Sequence, residues 1–193
     1  MTETTNSATQ RARLHSLIAA KSFGQGVEIT LASGRKSNFY FNMKPTMLDP
    51  EGAALIGGLM LDQLTGAKPD LVGGLELGAI PIACAVSLLS HMRGTPIPAF
   101  IVRKQAKEHG AKQRIEGFAP GQSLAGKNIL MVEDVTTTGG SILDAIAVVR
   151  EAGGIVTRAI TVVDRLEGAG EALTAAGVAL VSLFTARDYL SSN

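Results

Sequence analysis

The chain has 193 residues, 46% of them hydrophobic and 18% charged, which excludes a disordered protein and predicts one globular domain with a buried core. A net charge of +1, with six Phe, two Tyr and no Trp, argues against a nucleic-acid-binding protein. The polar N-terminus MTETTNSATQ does not resemble a signal peptide, and no apolar stretch is long enough to span a membrane. We therefore expect a cytoplasmic protein with no membrane partner.

The first third of the chain predicts a small N-terminal appendage. Helical periodicity indicates helices at residues 8–20 and 50–64. Between them, VEITLASGRKSNFYFNMK (residues 27–44) alternates apolar and polar residues on either side of Ser33-Gly34. This pattern is typical of two short antiparallel strands.

The rest of the chain predicts a parallel sheet. We expect residues 1–193 to form one domain. Five apolar runs occur at residues 71–73, 98–102, 128–132, 155–163 and 178–184. Helical patterns alternate with them at 80–92, 142–152 and 171–176, and Gly153-Gly154 ends the second of these helices. Such alternation favours a sheet covered by helices on both faces. Cys84, the single cysteine, lies in IPIACAVSLL and is expected to be a small core residue.

The segment ILMVEDVTTTGGS (residues 129–141) is the strongest functional signal. It places Glu133 and Asp134 at the end of a predicted strand, followed by three threonines and two glycines before a helix. Ligands bind at such strand ends, and hydroxyls with glycine N–H groups at a helix N-terminus suit a phosphate. Neither a Walker A nor a dinucleotide pattern is present. A phosphate ligand with vicinal hydroxyls explains the layout; solvated acids beside an ordinary turn are the alternative.

VEDVTTTGGS resembles the 5-phosphoribosyl-1-pyrophosphate (PRPP) signature of type I phosphoribosyltransferases. The resemblance implies an α/β fold with a mostly parallel five-stranded sheet and a PRPP-binding core at about residues 65–168. Residues 1–45 and the C-terminal end would form a small hood. Mg²⁺ would be held mainly through PRPP rather than by protein ligands. The PRPP-binding residues implied here are Glu133, Asp134, Val135, Thr136, Thr137, Thr138, Gly139, Gly140 and Ser141.

A second signal is the basic loop, residues 103–116, RKQAKEHGAKQRIE, with five of the eighteen Lys and Arg residues. A solvated surface loop is the alternative. RKQAKEHG resembles the catalytic loop R-K-x-x-K-x-H-G of the branch of this family that acts on orotate. The resemblance implies a homodimer with active sites shared across the interface. It also implies that Arg103, Lys104, Lys107 and His109 bind pyrophosphate, with Arg103, Lys107, His109 and Asp134 as the catalytic residues.

Further segments carry the same resemblance. GGLELGAIPIA (residues 73–83) is similar to the loop that binds pyrophosphate through backbone N–H groups, and LASGRKSNFYFNMK to the segment beside the pyrimidine. An arginine just past a strand, in VVDRLEG, suits the carboxylate of orotate because a guanidinium binds it bidentately. The orotate-binding residues implied are Thr137, Arg165, Lys44, Tyr40 and Phe41. Some relatives carry lysines where this chain has Ala32 and Gly78, so other cations must replace them.

The resemblance therefore implies transfer of the 5-phosphoribosyl group from PRPP to orotate, which gives orotidine 5'-monophosphate and pyrophosphate in pyrimidine biosynthesis. Two alternatives remain open. A phosphoribosyltransferase for another base, such as a purine, would share the PRPP segment. A PRPP-sensing regulator would keep the fold without catalysis.

Overall fold

The computed structural model describes residues 2–190, apart from 31–35, 65, 67, 106–113 and 120. The helices are α1 (Thr2–Lys21), α2 (Lys44–Met47), α3 (Pro50–Asp62), α4 (Ala79–Met92), α5 (Gly140–Glu151) and α6 (Ala169–Ala175). The strands are β1 (Phe23–Thr30), β2 (Lys36–Phe41), β3 (Leu71–Leu75), β4 (Ala99–Val102), β5 (Ile115–Glu116), β6 (Asn128–Thr136), β7 (Ile155–Asp164) and β8 (Ala179–Thr185).

The central sheet has the strand order β5-β4-β3-β6-β7-β8. Its last five strands in that order are parallel, and the two-residue β5 pairs antiparallel with β4 at the edge. The prediction of a mostly parallel five-stranded sheet is confirmed, with β5 as a short addition. Because parallel strands end at the same edge, the segments after β3, β4, β6 and β7 meet there.

The sheet is buried on both faces, as the continuous apolar runs predict. Along β6, Leu130 and Val132 pack on one side with apolar residues of α1, α3 and α4. Ile129 and Met131 pack on the other side with residues of α5 and α6. Alternation along the strand therefore supplies both hydrophobic cores from one sequence segment.

The N-terminal segment packs against the C-terminal end of the chain. The predicted first helix begins earlier than expected, at Thr2, and the predicted strand pair is confirmed as the antiparallel β1 and β2. On α1, the His15 ring stacks on Tyr189 at 4.5 Å, and its Nε2 lies 2.9 Å from the carbonyl oxygen of Asp188. Phe23 and Phe41 contact the same tyrosine ring. The division into a hood and a core remains a prediction.

The prediction that Cys84 is a core residue is wrong, because its side chain is exposed. Helix α4 buries Ala79, Ile82, Ala83 and Val86 against the sheet, and position 84 lies between these inward-facing positions. The segment is apolar all round, so its composition does not reveal which face is buried.

Helix α5 ends as its sequence predicts. Gly153 has φ 84°, a conformation that glycine adopts without the Cβ clash of other residues. Its N–H donates to the carbonyl of Arg150, and the N–H of Gly154 donates to that of Val149, both at 2.9 Å. These bonds satisfy the last carbonyls of the helix.

Among the described residues, no helix has the length and apolarity needed to cross a membrane.

Gly74 lies where β3 approaches β6 and α4 most closely. A Cβ added there would lie 2.2 Å from the carbonyl oxygen of Val132 and 2.5 Å from the Ala79 Cβ. We expect Gly74→Ala to lower the free energy of unfolding by about 1–3 kcal/mol through overpacking, measured by urea denaturation. Gly170→Ala, in open space on α6, is the matched control and should be neutral or stabilising by up to about 1 kcal/mol. Equal stability of the two variants would contradict this account of the packing.

Candidate active site

The site is a cleft at the carboxyl edge of the sheet, made of two adjoining cavities of about 530 Å³ and 200 Å³. They share Glu133, Val135 and Ser141, so they form one continuous surface. The larger cavity is lined by Lys44, Leu75, Glu76, Leu77, Gly78, Lys104, Glu133, Asp134, Val135 and Ser141. The smaller is lined by Glu133, Val135, Thr136, Thr137, Thr138, Gly139, Gly140, Ser141 and Ile142.

The smaller cavity contains the phosphate cradle, residues 136–141. Gly139, with φ 85°, precedes α5, and the first residues of this helix line the cavity, where their N–H groups have no partner within the helix. Thr138 and Ser141 are exposed in the cradle. Thr136 is buried instead, and its hydroxyl donates to the Asp164 carboxylate at 3.1 Å. Helix N–H groups with free hydroxyls make this segment suited to a phosphate.

Two adjacent acids lie where the cavities join. Glu133 is 7% exposed and accepts a 3.2 Å hydrogen bond from the backbone N–H of Asp134. Asp134 in turn accepts a 2.8 Å bond from the N–H of Val135. Burial, together with the neighbouring Asp134 charge, raises the pKa of Glu133 from its usual 4.5 to about 8. Such a pair is matched to ligand hydroxyls, which donate hydrogen bonds to the carboxylate oxygens.

The turn after β3 forms the opposite wall of the larger cavity. Its Glu76–Leu77 peptide bond is cis. A Cβ at Gly78 would lie 2.5 Å from the Asp134 carboxylate oxygen, so a larger residue at position 78 would require the Asp134 side chain to shift.

The basic loop begins beside this turn. The backbone N–H of Lys104 donates to Glu76 Oε1 at 3.0 Å, and Arg103 Nε lies 3.8 Å from Glu76 Oε2. Arg103 also donates to Glu116 Oε1 at 3.1 Å. Lys107 and His109 lie outside the described residues, so their predicted roles stay predictions.

Lys44 and Lys104 place two cations on the larger cavity, beside the carboxylates of Glu76, Glu133 and Asp134. Proteins usually bind Mg²⁺ through one or two carboxylates together with the phosphates of a substrate. The carboxylates on this cavity fit that pattern. Among the described residues, no cluster of three or more His, Cys, Asp or Glu side chains forms a dedicated metal cage.

Arg165 follows β7 next to the cradle, where its N–H donates to the carbonyl of Thr136 at 2.9 Å. Its buried guanidinium donates to Glu167 at 2.7 Å and to the Ser37 hydroxyl at 3.0 Å. The guanidinium also lies 4.3 Å from the centre of the Phe39 ring. Strand β2 thus covers Arg165 directly.

Of the predicted orotate contacts on β2, Tyr40 and Phe41 occupy opposite faces of the strand. Phe41 is half-buried with Phe39, while Tyr40 is exposed. Ser37 and Phe39, the residues that reach Arg165, were not predicted from the sequence. Glu76 was not predicted either, although an acid directly after a buried strand is the same signal that identified Glu133.

The fold and the cleft define a class of protein. Residues 47–177 match the phosphoribosyl transferase domain family. The chain belongs to the phosphoribosyltransferase family.

Within that family it is similar to orotate phosphoribosyltransferases. The orotate phosphoribosyltransferase of Rhodopseudomonas palustris is 56% identical over 94% of this chain and 97% of that relative. The orotate phosphoribosyltransferase of a Bradyrhizobium species is 54% identical over 93% of this chain and 97% of that relative. The solved structure of Mycobacterium tuberculosis H37Rv orotate phosphoribosyltransferase in complex with PRPP is 38% identical, with a TM-score of 0.76 over 93% of this chain and 98% of that one.

The raised pKa of Glu133 predicts that the difference in stability between wild type and Glu133→Gln depends on pH. Folded Glu133 keeps its proton up to about pH 8, whereas the unfolded chain releases it near pH 4.5. Its contribution to stability is therefore full at low pH and is lost as pH rises through this window. Relative to wild type, Glu133→Gln should become more stable between pH 5 and 8.5, by at most about 1.4 kcal/mol per pH unit.

Thermal denaturation across that pH range measures the difference. Glu171→Gln, which removes an exposed carboxylate on α6, is the matched control. A Glu133→Gln difference that stays constant over the window would contradict the assignment of the raised pKa.

Proposed function

We propose that this protein transfers the 5-phosphoribosyl group from PRPP to orotate, releasing pyrophosphate and forming orotidine 5'-monophosphate for pyrimidine biosynthesis. The observation that carries the proposal is the order of groups along one cleft. The phosphate cradle lines the smaller cavity, Glu133 lines both cavities, and Asp134, Lys44 and Lys104 line the larger one. PRPP has the same order: a 5-phosphate, a vicinal diol and a pyrophosphate. Both substrates are water-soluble, so we place the reaction in the cytoplasm.

The phosphate cradle would bind the 5-phosphate through the N-terminal N–H groups of α5 and the exposed hydroxyls of Thr138 and Ser141. This fixes one end of the substrate before the reaction. Glu133 and Asp134 would accept hydrogen bonds from the two ribose hydroxyls. Held at three points, the ribose presents C1 to the larger cavity.

The bond from C1 to pyrophosphate breaks as the ring gains positive charge and the leaving group gains negative charge. Asp134 is placed to favour the cationic ring, because its carboxylate lies on the wall of the cavity that would hold C1. Arg103, Lys104, Lys107 and His109 would stabilise the departing pyrophosphate. Lys44 is a further cation on the wall of the same cavity.

Mg²⁺ would be held mainly through PRPP, with Glu76 and Asp134 as the carboxylates available on the cavity wall. When bound, the ion neutralises part of the pyrophosphate charge.

Arg165 would select the base. It is covered by Phe39 and bonded to Ser37, and the adjacent Thr137 lines the cradle. Orotate differs from uracil by a carboxylate, and a guanidinium next to the cradle would favour the base that carries this charge. The proposed roles of Lys44, Tyr40 and Phe41 at the base rest on the resemblance of β2 and its flanks.

A spectrophotometric assay tests the function directly. With PRPP and Mg²⁺, the protein should lower orotate absorbance, and it should give no product with adenine, hypoxanthine or uracil. Asp134→Asn, purified in the same way, controls for contaminating host enzyme and should be at least about tenfold slower. Turnover of a purine would instead identify a phosphoribosyltransferase for another base. PRPP binding without turnover of any base would indicate a regulator.

We further propose a homodimer whose active sites are shared between subunits. Helix α4 carries Cys84, Leu88 and Met92 at four-residue spacing, on the side away from the buried Ile82 and Val86. Leu88 and Met92 are 62% and 71% exposed. An apolar stripe of this kind on a helix surface suits burial against the same stripe of a second copy.

Leu88→Asp should convert the dimer to a monomer, because it would bury a charge in the interface. Sedimentation velocity measures the mass of the particle in solution. Enzyme activity should be lost together with the dimer. Ile155→Asp, which changes an exposed apolar residue on β7, is the control and should remain dimeric. A folded Leu88→Asp variant that stays dimeric would place the interface elsewhere.

A further inference from the structure

The two ends of the basic loop are joined to each other. The N–H of Arg103 donates to the carbonyl of Arg114 at 2.7 Å, and Arg114 Nε donates to the carbonyl of Arg103 at 2.8 Å. The ten residues between them, which include Lys104, Lys107 and His109, therefore leave and rejoin the sheet at one point.

Arg114 also reaches helix α5. Its Nη1 donates to Asp144 Oδ1 at 3.1 Å, and its Nη2 donates to Oδ2. Asp144 lies three residues after Ser141, so the two share a face of the helix. Ser141 lines both cavities of the cleft. One planar guanidinium thus contacts the base of the basic loop and the first turns of the helix that begins in the phosphate cradle.

The pair itself adds little to stability. The Asp144 side chain is 51% exposed, and exposed ion pairs contribute at most about 1 kcal/mol. Its significance is geometric, because a bidentate arginine fixes both distance and orientation. Arg114 is also absent from the described residues that line the two cavities, so it would act through Arg103 and Asp144 rather than on a ligand.

We propose that Arg114 is a positioning residue that sets the distance between the two phosphate-binding ends of the cleft. Through Asp144 it is tied to the 5-phosphate cradle, and through the backbone of Arg103 to the cations that meet pyrophosphate. This inference rests on the proposed function, since only a ligand with a phosphate at each end needs the two halves in register. Small errors in such a distance lower rates strongly.

Steady-state kinetics of Arg114→Gln, Arg114→Lys, Asp144→Asn and the double variant Arg114→Gln/Asp144→Asn test the proposal. Each single change should lower kcat/KM for PRPP by about ten- to a hundredfold, with little change in KM for orotate. The double variant should be no worse than the more affected single variant, because both remove the same connection. Arg114→Lys should fail to restore activity, since lysine keeps the charge but cannot form the fork.

Arg13→Gln with Glu51→Gln is the matched control. It removes a bidentate pair with contacts of 2.7 and 2.6 Å between α1 and α3, and it should leave all kinetic constants near wild type. The proposal would be overturned if Arg114→Lys were fully active. It would also be overturned if the rate losses of the two single variants multiplied in the double variant. An inactive wild-type protein would instead refute the proposed function, so the two failures are distinguishable.

Discussion

Two acidic side chains next to each other in the sequence are the constraint around which the cleft is organised. Glu133 is buried and Asp134 lies next to it, so burial and the neighbouring charge raise the pKa of Glu133. The pair becomes useful when hydroxyl donors and cations surround it. Lys44 and Lys104 provide positive charge on the same cavity, and the phosphate cradle, which lines the adjoining cavity, would bind an anion. A sugar phosphate supplies the missing donors, whereas an anion alone would be repelled.

Features set by local sequence could be predicted. The parallel sheet follows from repeated buried apolar runs, and the strand–loop–helix junction follows from the threonines and glycines between β6 and α5. Gly153 ended α5 as expected, because its φ is imposed by the turn itself. The family signature is short and continuous because one strand end, the loop after it and the next helix N-terminus form that part of the cleft.

Features set by contacts between distant segments could not be predicted. Arg165 meets Ser37, which is 128 positions away, and Arg114 meets Asp144, 30 positions away. Such pairs leave no periodic pattern in the sequence. Cys84 was misassigned because α4 is apolar on all sides, and only packing against β3 and α3 decides which face is buried. The close approach of Gly78 to the Asp134 side chain likewise appears only when β3 and β6 are adjacent.

The central claim is that PRPP lies along this one cleft, with each part of the molecule next to a different group of residues. A crystal structure of the protein with PRPP and Mg²⁺ tests it most directly. The account predicts density for the 5-phosphate within hydrogen-bond distance of the N–H groups of residues 137–141, and for the ribose hydroxyls at Glu133 and Asp134. Density for PRPP at any other surface, with the cradle holding only solvent, would contradict the account.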